Sequence, residues 1–205
     1  MIAVEATEDE VTPLLTDGVS IAAVNGPRSL VLSGDDGPVS AVASRFARAR
    51  RLAVSHAFHS AHMDPMLAAF AEVAESVTYT SPLIPLVSTV TGEPVPAERV
   101  ASAGYWVDQV RATVRFADAV AWLAADGTGT ALEIGPDATL SGAAGDSLVC
   151  VPALRRDTGE VTALFAALAR VHARGADALG RRLPAAVTAR VDSADLSVPA
   201  AAVLA

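Results

Sequence analysis

The sequence predicts a mixed α/β fold that opens with a ferredoxin-like small subdomain over residues 1–55. Two observations lead to this fold class. Strand-like and helix-like segments in that region follow the order β-α-β-β-α-β, which is the order of ferredoxin-like folds. Beyond residue 55, longer helical and strand-like segments alternate, as they do in layered α/β proteins.

Turn residues and hydrophobic spacing define each segment of residues 1–55. An acid-rich start and a stop at Asp17 and Gly18 predict the first helix, and the turn sequence Asn-Gly-Pro-Arg at residues 25–28 predicts a hairpin. Pro38 in a first helical turn, followed by apolar residues at helical spacing, predicts the second helix. In order, the predicted segments are a strand at 1–4, a helix at 8–15, strands at 19–24 and 30–33, a helix at 36–46 and a strand at 51–55.

The segments beyond residue 55 alternate between helix and strand and are bounded by proline and glycine. Residues 56–157 are therefore assigned to a second subdomain and residues 158–180 to a further helix. Residues 181–205 lack a clear periodicity and are expected to be a linker or a disordered tail. The predicted segments are helices at 64–77, 116–125 and 161–174 and strands at 84–90 and 130–134.

Composition excludes several classes of protein. The chain has 15 arginines, no lysine and 23 acidic residues, and its net charge of −8 argues against a nucleic-acid partner, because phosphate binding needs a basic surface. Its mean hydropathy is +0.40, yet no apolar run reaches the roughly 18 residues of a membrane span, and residues 1–10 do not resemble a secretory signal. We therefore expect a cytoplasmic protein without membrane association. Cys150 is the single cysteine, so no disulfide can form within the chain.

Three of the four histidines lie close together, at His56, His59 and His62. A zinc site would use neutral imidazoles, but this spacing in an extended chain does not place all three on one face, and the sequence offers no obvious fourth ligand. No metal site is therefore predicted. The spacing leaves two interpretations open: ordinary polar residues at the end of a strand, or a general base that accepts a proton from a hydroxyl nucleophile.

Six short blocks of sequence carry a more specific signal. They are Ala-Ala-Val-Asn-Gly-Pro at 22–27, His-Ala-Phe-His-Ser at 56–60, Tyr-Trp-Val at 105–107, Val-Arg-Phe-Ala-Asp at 114–118, Leu-Glu-Ile-Gly-Pro at 132–136 and Val-Pro-Ala-Leu-Arg-Arg-Asp at 151–157. In order and spacing they resemble the acyltransferase domains of modular type I polyketide synthases. The resemblance implies that residues 1–55 are the ferredoxin-like insert of that domain. Residues 56–157 would then be the C-terminal part of its α/β-hydrolase-like subdomain.

The resemblance implies a catalytic role for His59. In this family the matching histidine activates a serine for attack on an acyl-CoA thioester, and then activates the thiol of a carrier-protein phosphopantetheine arm. The implied substrates are malonyl-CoA and phosphopantetheinyl acyl carrier protein, with no bound cofactor. Phe58 makes the block similar to that of malonyl-selective members, because its ring would crowd a C2 methyl group. One methyl group gives only about 1–3 kcal/mol of discrimination, so this is a preference, and plain core packing of Phe58 is the alternative.

Three further residues are placed near the substrate by the same resemblance. His56 is expected either to contact the residues that form the site or to lie at the surface. Asn25 matches an asparagine of the family's cleft, although Asn-Gly-Pro is also a favourable turn for local reasons. Arg115 is expected beside the site through its main chain, because a backbone carbonyl near residues 114–116 orients the histidine in related enzymes. Its side chain is expected to be solvated.

The family's nucleophile lies in a Gly-His-Ser-x-Gly turn, and no Gly-x-Ser-x-Gly occurs in these 205 residues. Ser147 lies in a Gly-Asp-Ser-Leu block like that of a lipase family. It comes late in the chain, however, and the only later histidine, His172, lies in a helical segment. Ser147 is therefore not expected to be a nucleophile.

We therefore expect the C-terminal portion of an acyltransferase domain, without its serine and inactive alone. Its expected partners are an acyl carrier protein, other polyketide-synthase domains and a complementary N-terminal acyltransferase piece. The alternative is a non-catalytic fragment that docks on a carrier protein or on a neighbouring synthase domain.

Overall fold

The computed structural model describes residues 1–175 and residues 202–204. It shows the mixed α/β fold that the sequence predicts, divided into two compact units: one contains Met1–Trp122 and the C-terminal strand, and the other begins at Leu123. The strands are Ile2–Val4 (β1), Val19–Gly26 (β2), Ser29–Gly34 (β3), Ala49–Arg51 (β4), Leu86–Ser88 (β5), Thr130–Glu133 (β6), Val149–Pro152 (β7) and Ala202–Leu204 (β8). The α-helices are Glu8–Val11 (α1), Asp36–Ala43 (α2), Asp64–Glu75 (α3), Ala97–Val100 (α4), Ala103–Arg111 (α5), Phe116–Ala125 (α6), Thr139–Ala143 (α7) and Glu160–Ala173 (α8).

The first unit begins with a four-stranded antiparallel sheet whose spatial order is β2-β3-β1-β4. With α1 and α2, it has the element order β-α-β-β-α-β, so the order predicted from turns and periodicity is confirmed. Gly26 pairs with Ser29 at the end of the hairpin, which places the predicted turn at its tip. Aliphatic side chains of the strands, α1 and α2 form the core, and Val11, Leu30 and Leu32 are its largest fully buried members.

The first helix is shorter than predicted. Instead of extending over residues 8–15, α1 ends at Val11 and residues 12–14 form a 3₁₀ turn. Pro13 explains the change, because it has no amide hydrogen with which to continue the i to i−4 hydrogen bonds of an α-helix.

Strand β4 lies earlier than the predicted residues 51–55. It ends at Arg51, which pairs with Ile2, and the amide of Leu52 then donates to the carbonyl of Met1. Pairing with β1 ends at Arg51, and residues 52–55 lie outside the strand. The subdomain boundary placed at residue 55 stays a prediction.

The remainder of the first unit contains the predicted helix α3, most of the predicted helix α6, one shortened strand and two helices that were not predicted, α4 and α5. Helix α3 begins at Asp64, as expected, with Pro65 in its first turn. Strand β5 is fully buried but covers only the middle of the predicted range 84–90. Helix α5 was missed because its Tyr-Trp-Val sequence favours strands. Ser102 caps this helix by accepting a hydrogen bond from the amide of Tyr105.

The second unit pairs β6 and β7 in parallel, with α7 between them in the chain. Helix α8 confirms the further helix expected within residues 158–180, of which 176–180 lie outside the described residues. It buries Ala163, Ala167 and Val171, and the last two pack with Val151 of β7. Four-residue spacing places these small side chains on one helix face, which allows the helix to approach the strands closely.

The linker or tail expected over residues 181–205 stays a prediction; within that range the structure describes residues 202–204, which form β8. This strand pairs in parallel with β5 and thereby provides hydrogen-bonding partners for the main chain of a buried strand. The other residues of that range lie outside the described part. In the part that is described, none of the helices has the combination of length and apolar character that a bilayer span requires.

Candidate active site

His59 lies between β4 and α3, and the hydrogen bond of its ring defines its tautomer. Nδ1 is 2.8 Å from the carbonyl oxygen of Ala112. A carbonyl oxygen can only accept, so Nδ1 carries the hydrogen and Nε2 keeps its lone pair. Within residues 1–175, Nε2 has no hydrogen-bond partner. The ring is therefore held in the form in which Nε2 can take up a proton.

The backbone at His59 is left-handed, with φ of 54°, and no other non-glycine residue within residues 1–175 has a positive φ. This conformation costs a non-glycine residue about 1–2 kcal/mol and needs support from its surroundings. Ser60 provides that support and is only 1% exposed. Its hydroxyl donates to the carbonyl of Ala57 at 2.6 Å and accepts from the amide of His62 at 3.2 Å. The resulting turn fixes the direction in which the His59 ring leaves the chain.

The carbonyl of Ala112 is positioned by the residues that follow it, which lie along the edge of strand β2. The hydroxyl of Thr113 donates to the carbonyl of Ile21 at 2.6 Å. The amide and the carbonyl of Val114 each bond to a main-chain group of β2 at 2.8 Å. These three bonds attach the acceptor of the His59 hydrogen bond to the antiparallel sheet.

The electrostatic surroundings keep His59 neutral. Burial lowers the pKa of its imidazole from the usual 6.5, because a partly buried site disfavours the charged ring, while the hydrogen bond to the Ala112 carbonyl acts more weakly in the opposite direction. At neutral pH the dominant form is thus an imidazole with an available Nε2, which is the form that a general base requires.

The two neighbouring histidines have surroundings of their own. His56 is exposed, its Nδ1 is 2.8 Å from the hydroxyl of Ser55, and its ring centroid is 5.7 Å from that of Phe58. His62 Nε2 is 2.7 Å from the carboxylate of Asp35. The three histidines do not converge, and no group of three or more His, Cys, Asp or Glu side chains in the described residues is arranged to hold a metal ion.

Phe58 and Asn25 differ in exposure. Phe58 is 39% exposed, so plain core packing does not describe its position. Asn25 is half-buried in β2 and directly follows Val24, whose amide donates to the carbonyl of Val114. Asn25 therefore lies next to the strand edge along which the Ala112 segment is attached.

Arg115 lies beside the same segment through its main chain, since its amide donates to the carbonyl of Thr89 at 2.6 Å. The expectation of a solvated side chain is wrong. Nη1 is 2.7 and 2.9 Å from the two carboxylate oxygens of Glu8, and Nε is 2.5 Å from the carboxylate of Asp118. The hydrogen bonds that the guanidinium donates to Glu8, and then to Asp118, raise its pKa. Arg115 thus connects α1 with the first turn of α6.

The resemblance implied an orienting carbonyl near residues 114–116, and the carbonyl that bonds to His59 belongs to Ala112, just before that block. Ala112 acts through a backbone oxygen, which has no signature in a sequence. Thr113 lies just before the block at residues 114–118 and offers only a hydroxyl group as a signal. The block pointed to the right part of the chain without identifying the atoms.

Comparison with known proteins defines the class to which this site belongs. Residues 1–178 match the family model described as the acyl transferase domain. The chain therefore belongs to the acyl transferase domain family.

Its relatives are polyketide synthases, which confirms the resemblance found in the sequence. The chain is 46% identical over 185 residues to the phenolphthiocerol synthesis polyketide synthase type I Pks15/1 of Mycobacterium marinum, covering 85% of this chain and 9% of that protein. It is 46% identical over 188 residues to the polyketide synthase GfsA of Streptomyces halstedii, covering 85% of this chain and 2% of that protein.

A solved domain has the same fold. The crystal structure of the acyltransferase domain from the second module of the salinomycin polyketide synthase matches with a TM-score of 0.80 at 42% identity, over 91% of this chain and 49% of that chain. The chain thus spans about half the length of a solved acyltransferase domain and a small part of each synthase.

Proposed function

We propose that this chain supplies the general base for transfer of a malonyl group from coenzyme A to an acyl carrier protein. His59 is the base, and the nucleophilic serine belongs to a segment outside these 205 residues. The observation that carries the proposal is the hydrogen bond from His59 Nδ1 to the Ala112 carbonyl, because it leaves Nε2 as a proton acceptor.

The proposed reaction has two halves. In the first, Nε2 takes the hydroxyl proton of the serine, the serine oxygen bonds to the thioester carbonyl carbon, and the carbon–sulfur bond breaks. The proton passes from His59 to the departing thiolate of coenzyme A. In the second half, Nε2 takes the proton of the phosphopantetheine thiol, the sulfur attacks the serine ester, and the proton returns to the serine oxygen.

A preference for malonyl over methylmalonyl groups is part of the proposal. Phe58 directly precedes His59 and is partly exposed, so its ring is available to a bound acyl group. His56 lies against that ring and limits where it can move. Crowding of a C2 methyl group by Phe58 would give discrimination of about 10- to 200-fold.

Exposed apolar side chains support the proposed complementary segment. Val73, Val77 and Ile84 are 63%, 51% and 52% exposed, and Leu83 is fully exposed. Burial of a large aliphatic side chain is worth about 1.5–3 kcal/mol, so covering these residues would provide binding free energy. We propose that the serine-bearing segment of the acyltransferase fold covers this surface, and that the chain alone transfers no malonyl groups.

The test combines the chain with the serine-bearing segment of the salinomycin second-module domain. The purified pair is mixed with labelled malonyl-CoA and methylmalonyl-CoA, and the rate of acyl-enzyme formation is measured. We expect preferential loading of malonyl groups, and the substitution His59→Gln should lower the rate by about 10²- to 10⁴-fold, because Gln cannot take up the serine proton.

His62→Gln is the matched control, since it makes the same change at an exposed histidine three positions away. It should change the loading rate less than about twofold. Equal loading by the wild-type and His59→Gln pairs would contradict the proposal. Loading of the 205-residue chain alone would contradict the need for the complementary segment.

A further inference from the structure

Two contacts join the same two stretches of chain at the candidate active site. The first is the hydrogen bond from His59 Nδ1 to the carbonyl oxygen of Ala112, at 2.8 Å. The second is the ion pair between Arg111 and Asp64, in which Nε donates to a carboxylate oxygen at 2.8 Å. Arg111 directly precedes Ala112, and Asp64 lies five residues after His59. The ion pair therefore spans the same gap as the hydrogen bond that sets the tautomer of the histidine.

The chain between His59 and Asp64 has little freedom to absorb a movement. Residues 61–63 form a 3₁₀ turn that Ser60 caps, and the amide of Asp64 closes the turn by donating to the carbonyl of Ala61. Asp64 is also the first residue of α3. A displacement of Asp64 would therefore be carried through the turn to His59.

The other side of the gap is equally constrained. Arg111 is the last residue of α5, and the amide of Ala112 donates to the carbonyl of Asp108 at 2.8 Å, which joins Ala112 to the last turn of that helix. The arginine side chain thus leaves the helix one residue before the carbonyl that accepts from His59. The positions of the guanidinium and of that carbonyl are coupled through a short, helical stretch of backbone.

Stability alone does not explain the pair. The side chains of Arg111 and Asp64 are 39% and 55% exposed, and ion pairs with this exposure contribute little stability. Each charge also has a local role, because a cation suits the C-terminal end of α5 and an anion suits the N-terminal end of α3. These local roles act separately, and neither requires the two side chains to meet.

We propose that Arg111 and Asp64 are positioning residues that hold the Ala112 carbonyl against Nδ1 of His59. The proposal rests on the proposed function and deepens it, because the tautomer held in this way leaves Nε2 to accept the serine proton. Without the ion pair, the hydrogen bond should be made for a smaller fraction of the time. The neutral ring should then carry its hydrogen on Nε2 in part of the molecules, and a ring in that form cannot take up a proton at Nε2.

The experiment records the ring nitrogen signals of His59 by NMR of the isotopically labelled chain at about pH 8, where imidazole is neutral. The variant His59→Gln identifies these signals by their absence. The wild-type chain should show hydrogen on Nδ1. R111M keeps an aliphatic stem but removes the donor, and D64A removes the acceptor, so both should show a share of the tautomer with hydrogen on Nε2. D64A tests the pair from the other side, so the pair can still be tested should R111M fail to fold.

Two further variants control the comparison. R111K keeps a donor for Asp64, and the present contact uses a single nitrogen, so this variant should retain the wild-type signals. R99M makes the same change as R111M at an arginine that is 50% exposed and pairs with Asp108 of α5 at 3.7 Å. It removes an ion pair of the same helix away from Ala112 and should also retain the wild-type signals.

The signs of the two charges separate positioning from a direct electrostatic effect. R111M removes a cation and D64A removes an anion, so a through-space effect would shift the tautomer in opposite directions, whereas lost positioning shifts it in the same direction. Four results would each overturn the inference: wild-type signals in both R111M and D64A, opposite shifts in these two variants, an R111K spectrum like that of R111M, or the same change in R99M.

The loading test with the serine-bearing segment provides the second readout. R111M should lower the loading rate about fivefold, R111K should restore it, and R99M should change it less than about twofold. The NMR signals are recorded on the 205-residue chain alone and need no transfer reaction. A wild-type pair that does not load would therefore contradict the proposed function without altering the tautomer result. A wild-type pair that loads, with unchanged signals in R111M and D64A, would overturn the positioning role and leave the proposed function intact.

Discussion

At His59, two constraints meet in one residue. The left-handed backbone sets the direction of the side chain, and the Ala112 carbonyl sets the tautomer of its ring. Either constraint alone would leave the ring free to turn or to shift its hydrogen to the other nitrogen. Together they present Nε2 as the proton acceptor before any substrate is bound, which is the preorganisation that a general base needs.

The lowered pKa of His59 leads to a prediction for the pH dependence of the ring. Its NMR titration midpoint should lie below 6.5, and the His59→Gln variant identifies the signal by its absence. The unfolded chain then binds more protons than the folded chain between the folded pKa and 6.5. The free energy of unfolding should therefore fall as the pH drops through this interval, and it should fall less in His59→Gln. A midpoint above 6.5 would mean that the carbonyl hydrogen bond outweighs burial.

At the scale of elements, the segment at residues 112–115 connects the histidine to the antiparallel sheet. It runs along the outer edge of β2, so the sheet acts as the support from which the acceptor carbonyl is held. Thr113 is the one side chain in this connection, through its hydroxyl bond to Ile21.

Removal of the Thr113 hydroxyl should loosen this support. Valine has nearly the same shape as threonine but no hydroxyl group, so Thr113→Val loses the bond to Ile21. The Ala112 carbonyl should then hold His59 less firmly, and the His59 titration midpoint should fall further. Thr113→Ser retains the hydroxyl and should titrate as the wild type does. Paired NMR titrations of the two variants make the comparison, and identical midpoints would show that the main-chain bonds of Val114 are sufficient.

The elements also show what a sequence can predict. The hairpin of β2 and β3 followed from a turn sequence that few other structures accommodate, and the helices α3, α6 and α8 followed from apolar spacing. The predicted bounds of β4 were wrong because this strand ends where its pairing with β1 ends, at Arg51 and Ile2, which are 49 positions apart in the chain. The bond between His59 and Ala112 joins residues 53 positions apart, and no local pattern encodes it.

At the scale of the whole molecule, the net charge is −8, and two parts of the surface differ from this acidic average. One is a groove lined by Arg28, Arg48 and Arg50 beside β1, β3 and β4, and the other is the set of exposed aliphatic residues near α3 and β5. Isolated apolar residues are normal on a protein surface, but several large ones close together in the chain favour association.

The exposed aliphatic residues should make the isolated chain self-associate. In L83S/I84S the elution by size exclusion with light scattering should move toward the monomer mass of 20.8 kDa. The melting temperature should change little, because both side chains are largely exposed. L83V/I84V keeps the apolar character and should elute as the wild type does. A wild-type chain that is already monomeric at all concentrations would contradict the prediction.

The left-handed backbone at position 59 has a consequence for stabilising this chain by substitution. Glycine adopts a positive φ without the penalty of about 1–2 kcal/mol that a histidine incurs there, although His59→Gly would also lose the hydrogen bond to the Ala112 carbonyl. The histidine is a position at which stability and activity oppose each other. A substitution that relieves the backbone strain at position 59 would therefore remove the proposed base.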